Sequence, residues 1–310
     1  MHDLYIVTPA RNVSRTMDAT IWSIVSQTGG LAIRYHVQDG ASTDDTVEKL
    51  AAWARRIEAM RDMLPSRVTF SYASAPDGGM YDAIAKGFAA VEIPDTAYMG
   101  WCNGDDALWP GALEAVAGLA KALPMVDWIT GWRTAFDNLG RLADISHRYR
   151  YPQSVLAGGL SDGIHWPFLQ QESTFWRKRL WDSVKGLDTK MRLAGDWDLW
   201  RRFAGVSRLA HVQRQLGAFW LRPGQQSANI AAYRAEMDAV APAAARHARF
   251  HALLRNGALG RPVLLAKQAA DGRWLCHESG KARKSLAKSQ VLRWLPTPMV
   301  VRMKFHEGLW

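Results

Sequence analysis

The first hundred residues alternate between short apolar segments, which are typical of buried strands, and segments with the apolar spacing of amphipathic helices. Strands are predicted at residues 4–8, 32–38, 67–72 and 97–102, with helices between them in residues 14–25, 42–63 and 79–91. Helices that connect parallel strands cover the two faces of their sheet. The alternation therefore predicts an α/β fold, a doubly wound sheet with helices on both faces.

Polar and acidic residues follow each of these predicted strands, at residues 8–12, 39–45, 74–82 and 103–106. In an open α/β sheet, ligands bind beyond the carboxyl ends of the strands. Because the four segments come to the same edge of the sheet, we expect them to form one shared pocket.

Beyond residue 125 the pattern becomes mixed. Strands are predicted at residues 126–132 and 173–176, a strand pair in 208–221, a hairpin turn at 137–140, a loop at 158–165 and a helix at 196–203. From residue 229 onward the chain is rich in alanine and is predicted to be mainly helical. We therefore expect a sheet domain over residues 1–228 and a helical, basic C-terminal region over residues 229–310.

The segment Asn103-Gly104-Asp105-Asp106 places two adjacent carboxylates directly after a buried strand. Neighbouring carboxylates repel each other, and a cation relieves the repulsion. Oxygen ligands favour Mg²⁺ or Mn²⁺, which also bind substrate phosphates. The alternative is a solvated acidic turn before the next helix, and the residues alone leave both possibilities open.

Two further segments carry candidate polar ligands. Asp39 lies too early to cap the helix that follows it, so we interpret it as an acceptor of hydrogen bonds from a bound base or ribose. Ser42, Thr43 or Asp44 is predicted to cap that helix instead.

Asp77-Gly78-Gly79 precedes the third helix, and its two glycines allow a ligand to approach the backbone closely. Asp82 and Lys86 are four positions apart, so a local ion pair is enough to explain them. Asp77 has no such local explanation.

The segment Gly195-Asp196-Trp197-Asp198 places two carboxylates in the first turn of a predicted helix. The helix dipole favours acidic residues there, which is one explanation for them. A general base is the functional explanation. Because the two side chains point in different directions on a helix, only one of them is expected to face the pocket.

Seven segments, in this order, resemble the motifs of family 2 glycosyltransferases with the GT-A fold. They are residues 7–12, 39–46, 77–87, 103–106, 170–177, 195–200 and 217–227. The resemblance implies a GT-A-type mixed sheet and a nucleotide-sugar-binding, catalytic domain over residues 1–228. It implies an inverting enzyme that moves a sugar from a nucleoside diphosphate sugar to an acceptor hydroxyl, with Mn²⁺ or Mg²⁺ as cofactor.

The resemblance also implies roles for the matching residues. Donor contacts would come from Thr8, Pro9, Arg11, Asn12, Asp39, Ser42, Asp77, Asp82, Lys86 and Asn103. Asp105, Asp106 or both would bind the metal, because Asn103 stands in place of the first acid of the family's Asp-x-Asp motif. Asp196 would be the catalytic base, with Gly195 in place of the family's glutamate. Gln171 and Glu172 would face the donor or acceptor sugar.

Positive charge is concentrated at the end of the chain. Residues 1–245 contain 26 Lys+Arg and 26 Asp+Glu, whereas residues 246–310 contain 13 and 3. Basic and apolar residues are interleaved over 281–304, which suits binding to an anionic membrane surface and a lipid-linked glycan acceptor in surface polysaccharide synthesis. A tail packed on its own domain explains the pattern equally well. Residues 290–294 fit a Gln-x-x-Arg-Trp pattern of processive members, but they lie too far from Asp196, and we interpret them as a chance match.

Other classes of protein are disfavoured. No segment approaches the ~20 apolar residues that span a bilayer and no signal peptide is visible, so we expect a cytoplasmic protein, peripheral on the inner face of the membrane if the tail binds there. The first strand lacks the Gly-rich phosphate loop of nucleotidyltransferases and dehydrogenases. Nucleic acid is not expected as a partner, because acidic strand ends repel phosphate. A non-catalytic nucleotide-sugar or nucleic-acid binding protein is the alternative.

The chain contains 15 tryptophans and two cysteines. The tryptophans either fill the core or line surfaces that bind sugars or lipids. Cys102 and Cys276 lie far apart in sequence, and Cys102 stands in an apolar run, as expected of a buried residue in a reducing compartment.

Overall fold

A computed structural model of the chain describes residues 3–137, 139–146, 149–222, 225, 229–260 and 262–279. The first part alternates strands and helices: β1 (Asp3–Ala10), α1 (Met17–Val25), β2 (Ala32–Asp39), α2 (Thr46–Ala59), β3 (Arg67–Ser74), α3 (Met80–Ala89) and β4 (Tyr98–Trp101). This order confirms the predicted alternation. The basic segment 281–304 and the chance match at 290–294 lie outside the described residues.

The second part contains shorter and more varied elements. They are β5 (Ala107–Leu108), α4 (Ala112–Ala122), β6 (Trp128–Phe136), β7 (Leu142–Ser146), α5 (Gln153–Ala157), β8 (Thr174–Arg177), α6 (Lys178–Ser183), α7 (Gly195–Val206), β9 (Leu209–Gln215), β10 (Gly217–Trp220), α8 (Ile230–Val240), α9 (Ala243–Arg255), β11 (Leu264–Gln268) and β12 (Trp274–Glu278). The turn predicted at residues 137–140 joins β6 to its antiparallel neighbour β7, with Asn138 outside the described residues.

Within the described residues the main sheet runs β12–β11–β9–β6–β8–β4–β1–β2–β3, with β5, β7 and β10 attached beside this path. β1 pairs in parallel with β2 and β4, and β2 pairs in parallel with β3. β8 is antiparallel to both of its neighbours, β4 and β6. The sheet is therefore mixed, as predicted.

Helices pack on both faces of this sheet. In β1, Leu4 and Ile6 point to a core shared with α1, α2 and α4, while Tyr5 and Val7 point to a second core shared with α3, α5, α6 and α7. The side chains of a strand alternate between the two faces, so one strand contributes to both cores. The predicted two-faced α/β fold is confirmed.

The start of α2 differs from the prediction. The helix begins at Thr46 and ends at Ala59, whereas residues 42–63 were predicted. Its N-cap residue, Asp45, makes no side-chain capping bond. Instead Asp44, one residue earlier, accepts the N–H of Thr46 at 3.1 Å. A nearby acidic side chain thus still accepts a backbone hydrogen bond from the first turn of the helix.

The strands predicted in residues 208–221 both form, but they pair with β6 rather than with each other. β9 pairs in parallel with the first half of β6, and β10 pairs in parallel with Ala135 and Phe136 at its end. Thus β9 and β10 follow one another along the same edge of β6.

The region after residue 229 contains the predicted helices, α8 and α9, and also a hairpin that the sequence analysis missed. β11 pairs in parallel with β9 and in antiparallel fashion with β12, so this hairpin extends the main sheet. Asp271-Gly272 lies between the two strands and is a known hairpin signal, but the strands are only five residues long. The predicted boundary between a domain of residues 1–228 and a C-terminal region of residues 229–310 stays a prediction.

Many tryptophans fill the core. Among the described residues, the fully buried tryptophans are Trp101, Trp128, Trp166, Trp176, Trp197 and Trp200. Trp101 and Trp200 stack with their ring centroids 5.7 Å apart, and Trp101 also meets Trp176 edge-on at 5.2 Å. Core packing therefore accounts for these residues. In the part of the chain that is described, no helix is long and apolar enough to cross a membrane.

Arg177 on β8 connects the segments that precede β4 and β6. Its substitution is therefore expected to lower the free energy of unfolding strongly. Its buried guanidinium donates to the backbone carbonyls of Thr96, Ala120 and Val126, and it lies 4.7 Å from the ring centroid of Tyr98. We expect Arg177→Met to lower the free energy of unfolding by about 3 kcal/mol, because buried carbonyls lose their donors. Urea denaturation measures this change.

Arg179→Met is the matched control. Arg179 forms an ion pair with Asp127 at 2.6 Å, and its side chain is 43% exposed. A partly exposed pair contributes about 1 kcal/mol or less. Equal losses of stability in the two variants would contradict the role assigned to Arg177.

Candidate active site

A cavity of about 440 Å³ opens at the carboxyl ends of β1 and β4. The sequence-predicted site residues that line it are Pro9, Arg11, Asp77, Asn103, Asp105, Asp106, Gln171, Glu172 and Asp196. They come from five separate segments of the chain. Side chains that are far apart in sequence thus line one cavity at the strand ends, as expected for a shared pocket.

The loop after β4 holds Asp105 and Asp106 against helix α1. Thr16 Oγ1 donates to the carbonyl of Gly104 at 2.6 Å, and Thr20 Oγ1 donates to the carbonyl of Asp106 at 2.7 Å. Thr16 is the N-cap residue of α1, but its hydroxyl makes no capping bond and serves this loop instead. Two hydroxyls on one helix face thus fix the backbone of the acidic segment.

Asp106 is buried, and Asp105 is partly exposed. Asp106 accepts the backbone N–H of Trp220 and the side-chain amide of Asn103, each at 3.0 Å. Asp105 pairs with Arg222, whose Nη2 lies 3.0 Å from Oδ2. Burial raises the pKa of Asp106 well above its usual range, and the charges of Glu172 and Asp105 act in the same direction.

Glu172 is a second buried acid in the cavity. It precedes β8, the strand that lies antiparallel to β4, and its neighbour Gln171 donates to the carbonyl of Trp101 at 2.6 Å. Burial raises the pKa of Glu172 to about 7, and the charges of Asp196 and Asp105 add to the effect. Gly217 packs so closely that a Cβ there would meet the Glu172 carbonyl oxygen at 2.0 Å.

Asp196 lies in the first turn of α7, and the hydroxyl groups of two tyrosines contact its carboxylate. Tyr233 Oη donates to Asp196 Oδ1 at 2.7 Å, and Tyr81 Oη lies 3.1 Å from the same oxygen. Burial raises the pKa of Asp196, and these hydrogen bonds partly oppose the rise. Asp198, two residues later, forms ion pairs with Arg201 and Arg202 at 2.8 and 2.7 Å. Asp196 alone of the two lines the cavity.

The cavity offers oxygen ligands that suit a hard divalent cation. Asp105 and Asp106 are adjacent carboxylates, and the buried Asn103 Oδ1 accepts no hydrogen bond. Within the described residues, no group of three or more His, Cys, Asp or Glu side chains is arranged to hold a metal. Mg²⁺ and Mn²⁺ sites of this kind use one or two carboxylates and take their other ligands from phosphate and water. The residues therefore fit a metal that binds together with a phosphorylated substrate.

Other residues that were predicted to bind the donor substrate connect the loops after β1 and β2 by hydrogen bonds. Asp39 is fully buried, and its carboxylate accepts the N–H of Ser42 at 2.9 Å and the hydroxyl of Ser74 at 2.6 Å. Asn12, which has a positive φ of 54°, accepts the N–H of Thr43 at 2.8 Å. The Asn12 N–H in turn donates to Ser42 Oγ at 2.8 Å. These side chains fix the loops after β1 and β2.

The remaining predicted residues divide between the cavity and local contacts. Asp77 lines the cavity and accepts the N–H of Gly79 at 2.8 Å. Asp82 and Lys86 form the local pair expected from their spacing, with 2.8 Å between Nζ and Oδ2. Thr8 is buried, and its hydroxyl lies 3.0 Å from the Tyr35 hydroxyl.

Sequence reasoning missed the two tyrosines beside Asp196. Tyr81 stands in a predicted helix, and its ring occupies the space next to Gly195, where a Cβ would lie 2.7 Å from the ring. A larger residue at position 195 would therefore require this ring to move. Tyr233 is far away in sequence, in α8, and no local pattern marks it.

Comparison with known proteins shows the family and the fold of the chain. A family model described as Glycosyl transferase family 2 matches residues 5–182, which confirms the resemblance seen in the sequence. The crystal structure of S. aureus TarS 1–349 in complex with UDP-GlcNAc is 14% identical, with a TM-score of 0.53, and the alignment covers 73% of this chain and 61% of that one. A second crystal structure of S. aureus TarS 1–349 is 13% identical, with a TM-score of 0.50, and the alignment covers 70% of this chain and 60% of that one.

These likenesses concern the fold. The chain spans less than two thirds of the TarS chains that it matches. No curated protein matches the chain.

The raised pKa of Glu172 predicts a pH-dependent effect of Glu172→Gln on stability. The folded protein holds this proton up to about pH 7, whereas the unfolded chain releases it near the ordinary value of 4.5. Wild-type stability therefore falls as the pH rises between these values, by up to about 3 kcal/mol. Since glutamine keeps the neutral shape, we expect the variant to be more stable than wild type at about pH 8 and similar at about pH 5.

Urea unfolding at the two pH values, without divalent cations, measures this difference. Glu48→Gln is the control, because Glu48 is exposed on α2. The same stability difference between wild type and Glu172→Gln at both pH values would show that Glu172 does not titrate as expected.

Proposed function

The chain belongs to glycosyl transferase family 2, and on this basis we propose that it transfers a sugar from a nucleoside diphosphate sugar to an acceptor hydroxyl, with inversion at the anomeric carbon. The proposal rests on one feature above all. Asp105 and Asp106 after β4 and Asp196 at the start of α7 line the same cavity, together with Glu172. The carboxylates proposed to bind a metal and the carboxylate proposed to accept a proton thus line the same cavity.

The donor is proposed to bind between the loops after β1 and β3. Pro9, Arg11 and Asp77 line the cavity on this side. Asp39, Ser42 and Asn12 contribute by holding the loops in place, whereas Thr8, Asp82 and Lys86 are not among the residues that line the cavity. UDP-GlcNAc is bound by the TarS structure, which supports UDP-hexoses as the first donors to test.

Asp105 and Asp106 are the proposed ligands of Mn²⁺ or Mg²⁺, with Asn103 beside them. The cation would compensate the negative charge that develops on the nucleoside diphosphate as it leaves. Arg11 also lines the cavity and adds positive charge on the donor side. Arg222 holds Asp105 through an ion pair and orients it.

Asp196 is the proposed general base. As the acceptor oxygen forms its bond to the anomeric carbon, the bond from that carbon to the diphosphate oxygen breaks. The acceptor proton passes to Asp196, whose Oδ1 is engaged by tyrosines, so Oδ2 is the oxygen that takes it. Attack from the face opposite the nucleotide inverts the anomeric centre, and no covalent enzyme intermediate forms.

We propose a glycan or lipid-linked glycan as acceptor, with Gln171 and Glu172 near the transferred sugar. The interleaved basic and apolar residues of 281–304 support a lipid-linked acceptor at an anionic membrane surface. That segment lies outside the described residues, so its support comes from the sequence.

Donor binding is expected to depend on the metal and on the acids after β4. We expect calorimetry to detect one of a panel of UDP-, GDP- and dTDP-sugars in the presence of Mn²⁺, with affinity at least about tenfold lower without it. Asp105→Asn/Asp106→Asn should abolish this gain, because it removes the proposed carboxylate ligands.

Asp271→Asn is the control for the double variant, since Asp271 is half exposed and pairs locally with Arg273. Binding of every donor with equal affinity in wild type and double variant would contradict the metal site. A folded wild type that binds no donor would contradict the transferase.

Asp196→Asn is expected to remove turnover while donor binding remains. A general base contributes about 10²–10⁴-fold to the rate, so kcat should fall by that factor with the donor KM nearly unchanged. A coupled assay for the released nucleoside diphosphate, in the presence of acceptor, measures both quantities.

Asp198→Asn is the matched control on the same helix. It loses bonds to Arg201 and Arg202 and should cost about 1–3 kcal/mol of stability, with kcat close to wild type. Retained turnover in Asp196→Asn would exclude Asp196 as the base. Donor binding by a wild type that transfers no sugar would favour the non-catalytic alternative.

A further inference from the structure

Helix α8 belongs to the region after residue 228, yet one of its faces reaches the candidate active site. Tyr233, Glu236 and Met237 occupy this face at positions i, i+3 and i+4. Met237 is fully buried in the same core as α7, and the Tyr233 ring packs edge-on against Phe168 with centroids 5.3 Å apart. The helix is therefore firmly docked where it meets the site.

Glu236 binds the backbone that leads into α7. Its Oε1 accepts the N–H of Arg192 at 2.8 Å, and its Oε2 accepts the N–H groups of Leu193 and Ala194, both at 2.9 Å. Hydrogen bonds to a charged carboxylate are stronger than neutral ones. Three consecutive amides held by one side chain leave this turn little freedom.

The start of α7 has no side-chain cap from its own segment. Its N-cap residue is Ala194, which has no side-chain acceptor, and its first residue is the flexible Gly195. A carboxylate near a helix N-terminus also interacts favourably with the helix dipole. Glu236, on another helix, accepts the N–H of this N-cap residue, and the other two amides that it binds lie just before α7.

Tyr233 fixes the carboxylate of Asp196 more directly than Tyr81 does. Tyr81 has one hydroxyl hydrogen and two acceptors, the Leu193 carbonyl at 2.6 Å and Asp196 Oδ1 at 3.1 Å. The shorter bond goes to Leu193, whose own N–H is held by Glu236. Tyr233 donates to Asp196 Oδ1 at 2.7 Å. Both tyrosine contacts of Asp196 thus lead back to α8.

We propose that α8 is part of the catalytic apparatus and that Tyr233 and Glu236 are positioning residues for Asp196. Glu236 sets the path of residues 192–194, and Tyr233 holds Oδ1 so that Oδ2 faces the acceptor hydroxyl. The inference rests on the proposed role of Asp196 as the base. It makes the region after residue 228 necessary for turnover.

Tyr233→Phe tests the contact with the carboxylate. It removes a hydrogen bond that stabilises the ionised form, so the pKa of Asp196 should rise. The acid limb of the kcat–pH profile should move to higher pH, and kcat at the optimum should fall by about tenfold or more while the donor KM stays nearly constant. Carbon-13 NMR titration of labelled aspartate in the unliganded protein measures the Asp196 pKa without any turnover.

Glu236→Gln tests the contact with the backbone. The amide cannot accept three N–H bonds as a carboxylate does, so hydrogen exchange at Leu193 and Ala194 should become faster by about tenfold or more. The same variant should lower kcat with little change in donor KM. Tyr72→Phe on β3 and Glu48→Gln on α2 are the matched controls, and both should behave as wild type.

Failure of this inference differs from failure of the proposed function. An unchanged Asp196 pKa in Tyr233→Phe, or unchanged exchange at residues 193 and 194 in Glu236→Gln, would overturn the positioning role even if the wild type transfers sugar. A wild type that transfers no sugar would overturn the proposed function, while the titration and the exchange rates would still report on the contacts of α8.

Discussion

Five carboxyl groups line one cavity, and repulsion among four of them, Asp105, Asp106, Glu172 and Asp196, governs how the site is built. Asp106 and Glu172 are buried, and burial together with neighbouring charge raises the pKa of each. Asp105 is held by Arg222, and Asp196 by tyrosines. Uncompensated negative charge favours the binding of a cation and of a proton. The proposed reaction needs both, a cation for the leaving diphosphate and a group that accepts the proton of the acceptor hydroxyl.

The mixed sheet is what brings these acids together. Parallel pairing places the loops after β1 and β4 at one edge, and the antiparallel strand β8 adds a segment that would otherwise lie at the opposite edge. Glu172 stands just before β8, so it meets the carboxyl end of β4, and Gln171 bonds there to Trp101. The family's fold thus gathers acids from segments that a purely parallel sheet would separate.

Local patterns in the sequence were sufficient to predict the first four strands and the polar segments that follow them. They also predicted that Asp196 and Asp198 diverge, because two positions on a helix differ by about 200°. They could not reveal that Ser74 on β3 would satisfy Asp39, or that Tyr233 and Glu236 would reach α7. Such contacts depend on how distant elements pack. The hairpin β11–β12 was missed because its strands are short, although Asp271-Gly272 marks its turn.

Gly195 connects these observations. The matching family motif has a glutamate at this position, directly before the aspartate, whereas here the Tyr81 ring leaves no room for a Cβ. Glycine leaves position 195 itself without a carboxylate, although Asp196 and Asp198 stand in the same first turn. In this chain Glu236 places a carboxylate beside the same helix start, from α8. The side chain of Asp196 is thus held by Tyr81 and Tyr233, which belong to two other helices, as well as by the backbone of its own segment.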